Sequence, residues 1–226
     1  MIYFETLEKK RNHVMFYSDK KVEKELVERA LYKAWKTTPG KNNAMAYQAL
    51  VWGPDKQEEK NKIYSLCIKS HKAAEERAVE KGLNTKTQDE PNPFYYHIKD
   101  NQYLITIHGR KAMPNKFYEE QIELGHFYDQ SHDIENIIDS VAVEVGMFLG
   151  NLGYYLLEEG LDISYNSTFS RFIKDWHDIG LHEVEKRPIS MISIGYAKRY
   201  RKEELDKHGK LEWDKKPDMK DIVKFV

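Results

Sequence analysis

Few residues in this chain are both chemically able and usefully spaced. Its nine histidines include the pairs His126/His132 and His177/His182, and neither has the i, i+4 spacing that sets two imidazoles on one helical face for zinc. His182-Glu183 starts like the metalloprotease motif, but Lys186 stands where the second His belongs, so no metal site is expected. The single cysteine, Cys67, falls among apolar helical positions, where a thiol serves as a small buried hydrophobe. Gly-x-Ser-x-Gly, P-loop and Gly-x-Gly-x-x-Gly motifs are all missing, which removes the commonest hydrolase, NTPase and dinucleotide signatures. Two features remain. Pro39-Gly40-Lys41-Asn42-Asn43 puts two side-chain amides just after a rigid turn, either as an ordinary surface turn or as paired donors and acceptors for a planar heterocycle. Gly146, Gly150 and Gly153 fall at i, i+4 and i+7, one bare stripe on a helix. Each costs about 1 kcal/mol of helix stability relative to Ala, so the stripe has a packing purpose: close helix–helix contact, or approach of a flat cofactor.

The elements that must position these residues alternate irregularly. A helix is predicted from Lys21 to Lys36, with Val22, Leu26, Val27, Ala30, Leu31, Ala34 and Trp35 on one face and Asp19 as its cap. Tyr47 to Trp52 reads as a strand closed by Gly53-Pro54-Asp55, and a charged helix then runs to Gly82. Residues Leu83 to Asn101, with Pro91 and Pro93, read as loop, and Gln102 to His108 as a second strand. Met113 to Gln130 is aromatic and charged without a clean period, a lid or an inserted helix. The strongest helix spans Asp133 to Glu159, capped by Ser131 or Asp133 and stopped at Gly160. Pro188 to Tyr196 is apolar enough to be central in a sheet. Without regular βαβ alternation the fold class is α+β.

Length and composition narrow the class. At roughly 150 residues per domain, 226 residues make a single domain over 1–226, with 83–130 as a possible lid and 198–226 as an arm. With 40% hydrophobic and 12% aromatic residues the chain can build a core, which excludes wholesale disorder. Lys and Arg number 36 against 37 Asp and Glu, a balance unlike that of a nucleic-acid groove. Val141 to Leu157 is interrupted by Glu144, Asn151 and three glycines, too short and polar for a bilayer span. One unpaired cysteine fits a reducing compartment, and the start lacks the plan of a signal peptide, so the expected location is cytoplasmic. The charged tail ends in Ile222-Val223-Lys224-Phe225-Val226, an apolar end suited to docking on a partner.

Taken in order, three blocks resemble the FMN-dependent nitroreductase family, which includes flavin reductases and iodotyrosine deiodinase. Arg11 to Val22 (RNHVMFYSDKKV) is similar to the N-terminal Arg-x-Ser-x-(Arg/Lys) block, and Thr38 to Tyr47 (TPGKNNAMAY) to the Pro-Ser-x-x-Asn-x-Gln-Pro-Trp loop. The third block runs from Asp139 through the glycine-rich helix to Gly160-Leu161, with Ile194-Gly195-Tyr196 following like the family's Gly-Tyr strand end. The resemblance implies a central mixed or antiparallel sheet flanked by helices, in a homodimer with FMN in each of two interface clefts. NADH or NADPH would reduce the flavin, which then reduces a small-molecule acceptor such as a nitroaromatic or quinone. The C-terminal arm would wrap the partner subunit. It also implies the cofactor residues: Arg11, Asn12 and His13 at the phosphate, Met15 near the flavin's N1/O2 edge, and Pro39, Gly40 and Asn43 in the amide loop. Ser167 and Thr168 would lie where backbone amides face N5, and Lys215 or Lys216 where the family has a second phosphate-binding cation. No catalytic residue is assigned.

The chain departs from the pattern at several points. His13 replaces Ser, Met15 replaces a cation, and Met45, Ala46 and Tyr47 replace Gln, Pro and Trp. The missing cation keeps open a flavin-binding protein of low turnover, and a non-enzymatic dimeric interaction module is the alternative from another class.

Overall fold

A computed structural model describes residues 13–40, 45, 47–82, 97–109, 120, 134–186 and 188–224. The elements in chain order are β1 (Val14–Tyr17), α1 (Lys24–Thr37), β2 (Tyr47–Trp52), α2 (Gln57–Glu80), β3 (Tyr103–Gly109), α3 (Ile134–Glu158), β4 (Asp162–Asn166), α4 (Ile173–Asp178), β5 (Pro188–Gly195), β6 (Ala197–Tyr200), α5 (Arg201–Lys207) and α6 (Met219–Ile222). This is an α+β fold. Four strands form an antiparallel sheet in the order β2-β3-β5-β4, and β1 pairs with β6 in a separate two-stranded ribbon.

Strand periodicity divides the core into two faces. Ile105, Ile107, Ile163, Ile192 and Ile194 point to one side, where they pack with Ala30 and Ala34 of α1 and Leu152 and Leu156 of α3. The alternate residues Leu104 and Met191 meet Ile63, Leu66 and Cys67 of α2, together with Trp52, Trp176 and Leu181. Burying each large aliphatic side chain contributes about 1.5–3 kcal/mol. Sheet covered on both faces explains why β3 is buried along nearly its whole length and why β5 is central, as its apolar sequence predicts. Cys67 is fully buried, and burial pushes its thiol pKa up, so it is a structural thiol.

Boundaries differ from expectation in places. α1 starts at Lys24, because Val22 is buried on extended chain and Glu23 is still extended; neither Asp19 nor Glu23 caps the helix with its side chain. Strand β4 and the short helix α4 were not anticipated, nor was the β1–β6 ribbon. Gly82 and Gly160 do close α2 and α3, each in the left-handed region at φ 73° and 82° that suits glycine. Beyond α3, the Leu161 amide reaches back to the Leu156 carbonyl at 3.0 Å. The described side chains from Asp206 to Lys224 are exposed, Ile222 and Val223 among them. Phe225 and Val226, the Met113–Gln130 lid except Glu120, and the caps Ser131 and Asp133 lie outside the described residues. Among the described residues no helix is long and apolar enough to cross a membrane.

Candidate functional site

The turn after α1 is built by residues on both sides of it. Pro39 disfavours helix at Thr38, so the chain leaves α1 there. The Thr38 amide and hydroxyl both bond the Ala34 carbonyl, at 2.9 and 2.7 Å. Helix α3 holds the same turn from below: Asn151 Nδ2 donates to Thr38 Oγ1 at 3.1 Å and the Tyr155 hydroxyl to Thr37 Oγ1 at 3.3 Å. A side chain at Gly40 would meet Met45 Sδ at 3.2 Å and Glu144 Oε2 at 3.7 Å, so the turn lies against a buried carboxylate of α3. Met45 adopts a left-handed φ of 43°, an uncommon geometry for a non-glycine residue, and its sulfur accepts from the Tyr47 hydroxyl at 3.5 Å. Tyr47 in turn tilts against Phe148 of α3, with ring centroids 5.3 Å apart. Asn43 and Lys41 lie outside the described residues.

A second cluster surrounds His13 at the start of β1. His13 Nδ1 and Ser164 Oγ of β4 are 2.8 Å apart, and the His13 ring stands edge-to-face with His97 at 4.5 Å. His97 Nδ1 meets Ser193 Oγ of β5 at 2.8 Å, and the Tyr17 hydroxyl donates to the Ser193 carbonyl at 2.9 Å. Period 2 explains the gathering: Ser164 and Ser193 are registered partners on adjacent strands, so their side chains share a face. Burial and the neighbouring His13 hold the His97 pKa well below the ordinary imidazole range, so His97 is neutral. Burial pushes the Tyr17 hydroxyl the other way, so it stays protonated and donates. Gly195 makes room for this arrangement, since a Cβ there would come within 2.6 Å of the Tyr17 ring. Met15 is 1% exposed, enclosed by protein on the same strand. Arg11 and Asn12 lie outside the described residues.

The end of β4 is the third piece. The Thr168 amide donates to Asn166 Oδ1 at 2.6 Å, so that amide is already engaged within the chain. Asn166 Nδ2 is buried and has no partner among the described residues. A buried donor left unpaired costs about 1–3 kcal/mol, and a ring nitrogen or carbonyl of a bound heterocycle would satisfy it. Asn166 therefore fits a planar, acceptor-rich group. Ser167 is exposed and its carbonyl accepts from Arg171 Nη2 at 3.3 Å. Lys215 and Lys216 are exposed on the tail. Among the described residues no group of three or more His, Cys, Asp or Glu could hold a metal.

The glycine stripe of α3 has two fates. Gly153 sits under β4, where a Cβ would run into the Tyr165 hydroxyl and approach Ile163 Cδ1 at 2.9 Å. Gly146 and Gly150 have, among the described residues, no atom within 4 Å of that position. They lie beside exposed Val143 and Met147, so this half of the stripe is an open apolar face within one chain. Sequence reasoning passed over Glu144, Asn151, His97, Ser164 and Ser193. Glu144 and Asn151 did carry a signal, since polar residues at i and i+7 of an apolar helix mark one face.

No family model and no curated protein matches the chain. Solved structures do. A nitroreductase family protein from Streptococcus pneumoniae superposes with a TM-score of 0.63 at 16% identity, covering 99% of this chain and 100% of that one. A BluB-like flavoprotein from Clostridium difficile gives a TM-score of 0.61 at 17% identity, covering 100% and 99%. An Exiguobacterium sibiricum protein solved in complex with FMN gives a TM-score of 0.60 at 16% identity, covering 100% and 98%. The chain has the nitroreductase-like fold over its whole length.

Proposed function

We infer that the chain is an FMN-dependent oxidoreductase that works as a homodimer, drawing electrons from NADH or NADPH and passing them to a small acceptor such as a nitroaromatic or quinone. One observation carries the reading: the chain superposes along its whole length on a protein solved in complex with FMN. Gly40 of the turn packs by Glu144 on the buried side of α3, while Gly146 and Gly150 face away from it, where a second subunit would pack. When bound, FMN would supply the hydride and electron transfer.

The protein's own residues bind and orient. Arg11, Asn12 and His13 would hold the phosphate, with Lys215 or Lys216 as the second cation. His13 is kept in place by Ser164 and His97. Pro39, Gly40 and Asn43 would face the ring's polar edge, with Asn166, Ser167 and Thr168 at its other side. The tail, exposed along its described length, suits wrapping round a partner. Met15, apolar and buried where relatives in the family carry a cation, favours the second reading of a flavin protein with slow turnover. Oxidation of NADH and NADPH under air, with and without added FMN, tests the assignment. Flavin-dependent oxidation well above the free-flavin rate is expected; bound flavin with no such rate would favour the second reading.

A further inference from the structure

A cavity of about 430 Å³ opens at the far end of β1 from His13, lined by Phe16, Tyr17, Lys60, Asn101 and a charged rim. Its floor holds two polar groups whose needs the protein leaves unmet. Lys60 is 1% exposed, yet among the described residues no carboxylate comes within ion-pair distance of it. Its Nζ donates to the Asn101 carbonyl at 2.8 Å and, at 3.5 Å, to that of Gln102, which leaves a third N–H. Desolvation lowers its pKa to about 8 against the opposing pull of Asp55 and Asp100, so below that pH it is mostly an ammonium with no described carboxylate in ion-pair contact. Burying a cation is unfavourable unless an anion is supplied. Beside it, Asn101 spends its Nδ2 on the His97 and Ile98 carbonyls at 2.8 and 2.6 Å. Its Oδ1 is buried and has no partner among the described residues.

An unmatched cation and an unmatched acceptor on one floor call for a ligand with an anion and a donor. Lys99, Lys198, Asp19 and Asp100 also line the cavity. Counting Lys60, three ammonium groups meet two carboxylates, so a ligand with one extra negative charge balances the site. The cavity would enclose a molecule of amino-acid size, and its volume lies within the range of small-molecule sites.

We propose that this cavity binds a small zwitterion of the acidic α-amino-acid class, its carboxylate on Lys60 and its ammonium on Asn101 Oδ1. The site is separate from the flavin reading and does not depend on it. Titration calorimetry at pH 7.5 and low salt, with L-glutamate, glutarate and propylamine as probes, tests it. L-Glutamate should bind with one molecule per chain, and glutarate, lacking the ammonium, about tenfold more weakly. A charge-assisted hydrogen bond accounts for a factor of about 10–100, so Lys60→Gln should weaken L-glutamate binding by that much. In the wild-type protein, saturating L-glutamate should shift the side-chain amide NMR signals of Asn101, which keeps the test decisive if the variant does not fold. No binding of L-glutamate at about 10 mM, glutarate binding as tightly, or unmoved Asn101 signals would each overturn the proposal.

Discussion

Replacing Gly153 by Ala separates packing from helix propensity, because the same change at Gly150 serves as its control. In an open helix position Gly→Ala stabilises by up to about 1 kcal/mol. Among the described residues nothing lies within 4 Å of a Cβ at Gly150, so in an isolated chain Gly150→Ala should gain about that amount. At Gly153 the Cβ collides with the Tyr165 hydroxyl, which donates to the Leu149 carbonyl at 2.9 Å, and presses on Ile163 Cδ1. Losing that hydrogen bond costs about 1 kcal/mol and overpacking typically 1–3 kcal/mol, against the propensity gain. The net expectation is destabilisation of about 1–3 kcal/mol, read as a lower urea midpoint at unchanged slope. Removing the hydroxyl in Gly153→Ala/Tyr165→Phe should recover part of the loss, leaving the Ile163 contact. If Gly153→Ala is as stable as Gly150→Ala, the placement of β4 over α3 is wrong.

The remaining expectations concern cofactor, assembly and acid stability. Arg11→Ala should weaken FMN binding by roughly ten- to a hundredfold, the range of one charge-assisted hydrogen bond, in a flavin-fluorescence titration; unchanged affinity would remove Arg11 from the phosphate site. Gly150→Leu, on the open half of the stripe, should leave the monomer folded while splitting the dimer and releasing flavin. A dimeric, yellow variant by light scattering and absorbance would place the interface elsewhere. His108 is buried and its pKa is pulled down to about 4 by desolvation. The unfolded chain therefore binds a proton near pH 6.5 that the folded chain refuses until pH 4, so stability falls as pH drops through that window. The loss is on the order of 3 kcal/mol at about 1.4 kcal/mol per pH unit. His108→Gln should show a shallower pH dependence in urea denaturation between pH 6.5 and 4; an identical slope would remove His108 from the acid limb.

What the sequence revealed follows from where polar residues sit. Tyr47 to Trp52 and Pro188 to Gly195 are legible because their apolar residues sit between turn formers. Strand β4 is not, because it is buried on both faces and polar Asp162, Ser164 and Asn166 fill the face opposite Ile163, so no apolar run marks it. Asp162 and Ser164 find distant partners: Asp162 takes the Tyr200 hydroxyl at 2.7 Å and the Ala197 amide at 2.9 Å, which ties the ribbon to the sheet, and Ser164 meets His13. No local pattern foretells such a link. The same holds for His13, whose partners Ser164 and His97 lie far along the chain. The glycine spacing was legible but its division was not, since only the arrival of Tyr165 from β4 covers Gly153 and leaves Gly150 bare.

The central claim is that this chain holds FMN. Purified protein should be yellow, or become so on incubation with FMN, and denaturation should release one FMN per chain, identified by its mass and fluorescence. A protein that is colourless as isolated and leaves FMN fluorescence unquenched in titration would contradict the account.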